Sequence, residues 1–173
     1  LQRGVIANSE KLKHEQDEAR DSIAKIEKLI DNAYSDMKYY HKQSRWDYDD
    51  AEKTYIQTII SNAVKKNCMK SSERQIFLYK GFKVILPAKM DPEKPYIILK
   101  NEGRYTVKLG ESQKGILIRI NNCLNGLEKY IEQLHASVYK LCDKISRIQT
   151  EIDNELSYID KIDALEAKLK IID

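Results

Sequence analysis

Apolar residues in the last third of the chain recur at alternating intervals of three and four: Leu124, Leu127, Ile131, Leu134, Val138, Leu141, Ile145, Ile148 and Ile152. Such spacing holds one stripe of a helix toward a partner, as in the heptad seam of a coiled coil. Beyond Ile152 the rhythm slips: Leu156 lies four residues on, Ile159, Ile162 and Leu165 follow at threes, and Leu169 and Ile172 come after. This predicts altered winding in that stretch. Asn121 or Asn122 is expected to cap the start of the helix. A weaker seam runs through Ala19, Ile23, Ile26, Ile30, Ala33, Met37 and Tyr40, then Tyr48, Ala51, Tyr55 and Ile59. Helix is expected from about Ile6 to Ile30. Poor helix formers between His41 and Asp49 mark a possible break near 42–48, and Asp49 or Asp50 can cap a new helix over Ala51–Lys65. One bent helix and two helices fit this pattern equally.

The middle of the chain changes period. Ile76–Tyr79, Phe82–Leu86, Tyr96–Leu99 and Tyr105–Leu109 are short, rich in aromatic and β-branched residues, and separated by turn formers, which predicts strands. Lys80-Gly81 suits a two-residue hairpin, Pro87 to Pro95 a longer loop, and Asn101-Glu102-Gly103 a tight connection. The result is an antiparallel meander. In its last strand Tyr105, Val107 and Leu109 share one face and Arg104, Thr106 and Lys108 the other, so a basic face is expected to stay wet.

The expected fold is α+β and mostly α, a long antiparallel helical hairpin with a small β-meander inserted between its arms. Residues 1–66 form the first arm, 67–120 the meander and 121–173 the second arm, with Leu127, Ile131, Leu134, Val138, Leu141, Ile145, Ile148 and Ile152 as the coiled-coil seam. The alternative is a homodimer in which an arm pairs with a second copy. The seam carries no buried Asn and no complementary edge charges to fix register or stoichiometry.

Composition agrees with long helices: of 173 residues 33% are charged and 42% hydrophobic, with only 6 Gly and 3 Pro. No apolar run reaches the roughly 18 to 20 residues a spanning helix needs, and no basic-then-apolar leader opens the chain. A cytoplasmic protein with no membrane partner is expected. Because Leu1 is not Met, the chain reads as a piece of a longer polypeptide. Cys68, Cys123 and Cys142 are odd in number and form no CxxC pair, so neither a disulfide framework nor a zinc knuckle is signalled.

The net charge of +3 conceals an uneven distribution. Residues 1–64 hold 10 Lys/Arg against 12 Asp/Glu, residues 65–120 hold 13 against 5, and residues 121–173 hold 7 against 10. A basic middle is flanked by two acidic arms.

Catalytic patterns are not apparent. The glycines form neither GxxxxGK[ST] nor GxGxxG, and His14, His41 and His135 are scattered over helices as solvated or partly packed side chains. Cys142 reads as a helix-flank thiol, and the acidic runs Glu15–Asp21 and Asp47–Glu52 as solvated faces. No enzyme activity, cofactor or metal is expected. The β segment is where a functional reading competes: Lys80, Lys83, Arg104, Lys108 and Lys114 can neutralise phosphates, and Tyr79 or Tyr96 can stack on unpaired bases. Against this stands the plainer reading that Phe82 and Tyr105 are core and the lysines keep sheet edges soluble.

Three stretches, Tyr79-Lys80-Gly81-Phe82, Gly103 to Gly110 (GRYTVKLG) and Gly115 to Glu128 (GILIRINNCLNGLE), carry a resemblance. In this order and spacing the chain from about Gln75 to its end resembles the C-terminal region of the very large helicase and adenine-specific DNA methyltransferase fusion proteins of mobile elements in Gram-positive bacteria. There a Y-(R/K)-G-F hairpin and a strand ending Y-T-V-x-L-G lead through G-N-(I/L)-x-R-(I/L)-D-N-x-L-x-G into a terminal coiled coil. Leu117 stands where the family usually has a polar or small residue, and Asn121 where it usually has Asp. Tyr48-Asp49-Asp50-Ala51-Glu52 matches the family's preceding helix start poorly. The resemblance implies a non-catalytic accessory module of a DNA-processing protein, with DNA and the rest of a larger helicase or methyltransferase polypeptide as partners. It implies no reaction for this piece. The alternative function is a coiled-coil oligomerisation or protein-docking module without a nucleic-acid role.

Overall fold

A computed structural model describes residues 2–43, 47–67 and 70–172. Among the described residues four helices and a four-stranded antiparallel sheet follow in the order α1 (Gln2–Gln43), α2 (Asp50–Asn67), β1 (Arg74–Tyr79), β2 (Phe82–Leu86), β3 (Tyr96–Lys100), β4 (Arg104–Lys108), α3 (Gly115–Asn125) and α4 (Leu127–Ile172). The α+β, mostly α class read from periodicity is the class observed. The first arm is two helices, with residues 44–46 of the expected break, like Cys68, outside the described residues. Asp49 caps α2 as expected: its Oδ1 accepts from the Glu52 N–H at 2.8 Å while Glu52 Oε2 accepts from the Asp49 N–H at 3.0 Å. This reciprocal capping box occupies the second acidic run.

Two compact units result, one comprising residues up to Lys28 with those from Gln133 onward, the other comprising Leu29–Glu132. The three expected segments do not coincide with them. A four-stranded sheet has an apolar face that must be covered, so the sheet unit takes in the end of α1, α2, α3 and the first turn of α4.

In the helical unit, α1 and α4 pack together. Leu12, Ile148 and Ile152 form its buried apolar centre. Leu134, Val138, Leu141 and Ile145 are half-buried at the expected seam positions. The seam residues Leu127 and Ile131 belong instead to the core of the sheet unit. The predicted slip after Ile152 does not occur, because the half-buried positions continue as Glu155, Ile159 and Ile162 while Leu156 is exposed. Glu155 holds the seam position as a polar layer, accepting from the Ser9 hydroxyl at 2.9 Å and from the Asn8 amide. Gln16, only 3% exposed, forms a second polar layer by donating to the Ile145 carbonyl and to Gln149 Oε1, each at 3.1 Å. Paired hydrogen bonds of this kind fix which residues lie opposite one another, as buried polar residues do in coiled coils.

The sheet unit is a meander in the order β1-β2-β3-β4. Lys80 (φ 47°) and Gly81 (φ 84°) form the two-residue β1–β2 loop, both in the left-handed region that matches the twist of the strands. Cross-strand partners place Phe77, Tyr79, Phe82, Val84, Leu86, Ile97, Leu99, Tyr105 and Val107 on one face, toward the helices. With Ile56, Ile60, Ile116, Ile120, Leu124 and Leu127 they make one continuous core. The helix after β4 begins at Gly115, not at Asn121 or Asn122, because Ile116, Leu117 and Ile120 are needed to cover β4 and pack beside α2. Asn121 is consequently inside α3, and Gly126 marks the joint with α4.

Asp36 ties α1 to the far hairpin. Although it is a carboxylate with 0% exposure, it accepts from the N–H of Glu102 at 3.0 Å, the N–H of Gly103 at 2.8 Å and the hydroxyl of Tyr105 at 2.6 Å. Burial and the bond to this carboxylate together raise the Tyr105 phenol above its ordinary value. Heptad spacing gives Ala33, Met37 and Tyr40 as the inward residues of this stretch, and Asp36 shares their face because 33, 36 and 40 also step by three and four.

Candidate nucleic-acid interface

The side of the sheet away from the helices carries the cations. Register places Leu78, Lys83, Lys100 and Arg104 in one row across all four strands, since Leu78 pairs with Lys83, Lys83 with Lys100 and Lys100 with Arg104. With neighbouring strands about 4.8 Å apart, the three cations span roughly 10 Å. Two rows away Tyr96 and Lys108 are paired. Lys83, Arg104 and Lys108 are exposed, whereas Lys100 and Tyr96 are half-buried. The alternation expected in β4 is observed, with Tyr105 and Val107 buried and Arg104, Thr106 and Lys108 exposed.

This face is not uniformly wet. Ile85 and Ile98, paired with each other between the two cationic rows, are only 7% and 8% exposed. Met90, 3% exposed, accepts from the Tyr96 N–H through its sulfur at 3.2 Å. Glu73 forms an ion pair with Arg104, both about half exposed. That contact reduces the charge Arg104 offers, although exposed pairs are weak and exchange readily.

The remaining expected contacts lie elsewhere. Tyr79 is 2% exposed, so it is not available for stacking on a base, and this expectation is corrected. Its ring stacks on Tyr48 with centroids 5.5 Å apart, and its hydroxyl donates to Asn121 Oδ1 at 2.6 Å. Desolvation is the main cause of its phenol being pushed up to about 12. Lys80 is half-buried in the hairpin loop, with its amine 5.5 Å from the Tyr79 ring centroid and 5.7 Å from that of Tyr40, so it belongs to the aromatic cluster and not to the cationic row. Lys114 is exposed in the turn ahead of α3. Sequence reasoning counted Lys100 among the basic residues without singling it out, yet it is the centre of the row. Strand pairing was the signal, since a three-residue connection at 101–103 sets Lys100 opposite Arg104.

Raised phenols have a consequence for stability. A group whose folded pKa exceeds its unfolded value contributes stability in full below the unfolded value and loses it as pH rises toward the folded value. Both Tyr79 and Tyr105 are shifted upward. The contribution of these phenols to the denaturant midpoint should therefore be constant up to about pH 10, the ordinary tyrosine value, and be lost between there and about 12 for Tyr79. Urea titrations at stepped alkaline pH read this, and Tyr79→Phe should flatten part of the decline.

Among the described residues no group of three or more His, Cys, Asp or Glu is placed to hold a metal ion. Cys123 is half-buried and Cys142 exposed, both free thiols, and burial raises the Cys123 thiol. His14 contacts Glu18 at 3.0 Å along one exposed helix face, and Asp17 pairs with Arg20, which accounts for much of the first acidic run. Among the described residues no helix is long and apolar enough to cross a membrane. Comparison of the chain with protein-family models, curated proteins and solved structures gives no match.

Proposed function

We propose that this chain is a non-catalytic accessory module of a DNA-processing protein of the helicase or methyltransferase type, whose basic sheet contacts the nucleic-acid backbone. The observation that carries this reading is the row Lys83–Lys100–Arg104, with Lys108 on the same face, on a sheet whose other face is fully used by the core. Three cations set on adjacent strands are rigidly spaced, so they meet successive phosphates without ordering long loops. Half-buried Tyr96, next to Lys108 on that face, is the ring to which base stacking falls. The paired portions of α1 and α4 would serve to join the sheet unit to the rest of a larger polypeptide.

The test is fluorescence anisotropy with labelled single- and double-stranded DNA across a salt series. Neutralising three phosphates of a single strand predicts a slope of log K against log salt of about −2. Replacing Lys83, Lys100 and Arg104 together by Ala should bring the slope toward zero without changing the thermal midpoint by more than a degree or two, because these side chains are outside the core. A wild-type chain that fails to bind at low salt refutes the proposal.

One observation favours the docking alternative. Leu165, Leu169 and Ile172 step by four and three on α4 and are 60%, 63% and 80% exposed. An apolar stripe of that kind is a surface for another helix. Sedimentation equilibrium of the wild type should then show self-association that Leu169→Glu abolishes. A monomer at all concentrations removes self-pairing as the function.

A further inference from the structure

The fourth strand is an edge, and among the described residues its outward backbone is open over most of its length. Three hydrogen bonds establish which way its groups point. Leu109 N–H donates to the Pro95 carbonyl at 2.9 Å and Asn101 N–H donates to the Gly103 carbonyl at 3.0 Å, so the carbonyl of Gly103 and the backbone groups of residues 105, 107 and 109 turn toward β3. Alternation then turns Arg104, Thr106 and Lys108 outward. The outward carbonyl of Lys108 is occupied, accepting from Arg119 Nη1 at 3.3 Å, as this assignment requires. That leaves the N–H and carbonyl of Thr106, the carbonyl of Arg104 and the N–H of Lys108 along an exposed edge, a template for another strand.

Beside this edge lies a groove of about 310 Å³ lined by Arg104, Tyr105, Thr106, Cys123, Leu127 and Tyr130. Its wall is mainly apolar and aromatic, with the Tyr105 and Tyr130 rings packed edge to face at 6.1 Å. A strand laid along β4 would send alternate side chains into this groove and the intervening ones onto the cationic side of the sheet, beside Arg104, Thr106 and Lys108.

We infer that the β4 edge binds an extended peptide by strand addition, and that this peptide alternates apolar residues with acidic ones. Backbone pairing supplies the affinity, the groove selects small apolar side chains, and Arg104 and Lys108 select acidic residues between them. A second copy of this chain is the wrong occupant. Two β4 edges laid together would put Arg104 and Lys108 of one chain among the same cations of the other, and like charges set opposite each other on paired strands are destabilising. This inference shares Arg104 and Lys108 with the nucleic-acid reading and differs from it in resting also on the backbone groups of the β4 edge and on the groove.

The probe is a capped, fluorescein-labelled seven-residue peptide alternating Val and Glu, titrated with the full 173-residue chain and followed by anisotropy and by amide exchange. In the free protein the amides of Thr106 and Lys108 should exchange rapidly while those of Tyr105, Val107 and Leu109 are protected. Saturating peptide should protect Thr106 and Lys108. Thr106→Pro removes an outward donor and leaves the β3–β4 ladder intact, so it should weaken binding about tenfold, the effect of roughly 1.4 kcal/mol. Cys123→Phe, which fills the groove from α3, should weaken binding comparably. A peptide with Lys in place of Glu should not bind measurably. The inference is overturned if the Val/Glu peptide leaves Thr106 exchange unchanged, if the Lys peptide binds equally well, or if Thr106 is already protected in a dimer of the free chain.

Discussion

Asp36→Ala should be the most destabilising single substitution outside the apolar core, lowering stability by about 4 kcal/mol. The carboxylate is completely buried, and its two oxygens satisfy two backbone N–H groups of the β3–β4 connection and one phenol. Hydrogen bonds to a charged acceptor are worth about 1.5–3 kcal/mol each, and donors left buried without a partner retain their desolvation cost. Alanine removes the acceptor and leaves the Gly103 N–H and the Tyr105 hydroxyl unpaired. Asp36→Asn keeps one acceptor oxygen but turns an amide NH₂ against donors, so its loss should be smaller though still above 2 kcal/mol. Urea denaturation followed by circular dichroism measures both. If Asp36→Ala unfolds at the wild-type midpoint, the claim that this carboxylate anchors the hairpin is wrong. Adding Tyr105→Phe to Asp36→Ala should cost less than the two single changes summed, because both remove the same bond.

Gly81→Ala should cost about 3 kcal/mol, combining two independent penalties. The residue adopts φ 84°, where a side chain is strained, and a Cβ there would fall inside the Tyr39 hydroxyl and ring edge. Tyr39 is the side chain that must shift, at the expense of its ring contact with Phe82, whose centroid lies 5.9 Å away and which is itself fully buried and 6.4 Å from Tyr40. Tyr39→Ala in the Gly81→Ala background separates the terms: relief of the clash should restore part of the stability beyond the cost of Tyr39→Ala alone, leaving the roughly 1 kcal/mol attributable to backbone strain. Chemical denaturation of the four proteins of this cycle gives the coupling directly. A Gly81→Ala protein as stable as wild type would show that the hairpin is not held against α1 as described.

Both predictions rest on features that differ in how far they can be read from the chain. Gly81 was legible, because Lys-Gly between two β-rich runs is a hairpin signal, although the ring that closes over it lies some forty residues earlier. Asp36 was not legible. One acid among the charged residues of an amphipathic helix looks like its solvated neighbours, and only strand pairing brings the Glu102 and Gly103 amides to it. Glu155 is the same case in the helical unit. Apolar spacing alone made Leu156 the seam residue, whereas the Ser9 and Asn8 donors across the pair keep Glu155 there and leave Leu156 outside.

The candidate interface divides along the same line. Alternation within β4 was enough to put Arg104 and Lys108 on one face and Tyr105 and Val107 on the other. Tyr79 and Lys80 could not be sorted that way, since stacking on a base and stacking on Tyr48 ask for the same ring. Burial decided it.

Periodicity by itself determined that two long helices flank a four-stranded meander, where its turns fall, and which face of the last strand is cationic, because heptad and alternating patterns are imposed residue by residue through local geometry. The tertiary structure decided which polar groups are inside, which helices belong to the sheet, that Lys83, Lys100 and Arg104 form one row, and that the β4 edge runs beside a groove. Those depend on residues far apart in the chain meeting at hydrogen-bonding distance, and no local spacing encodes the partner.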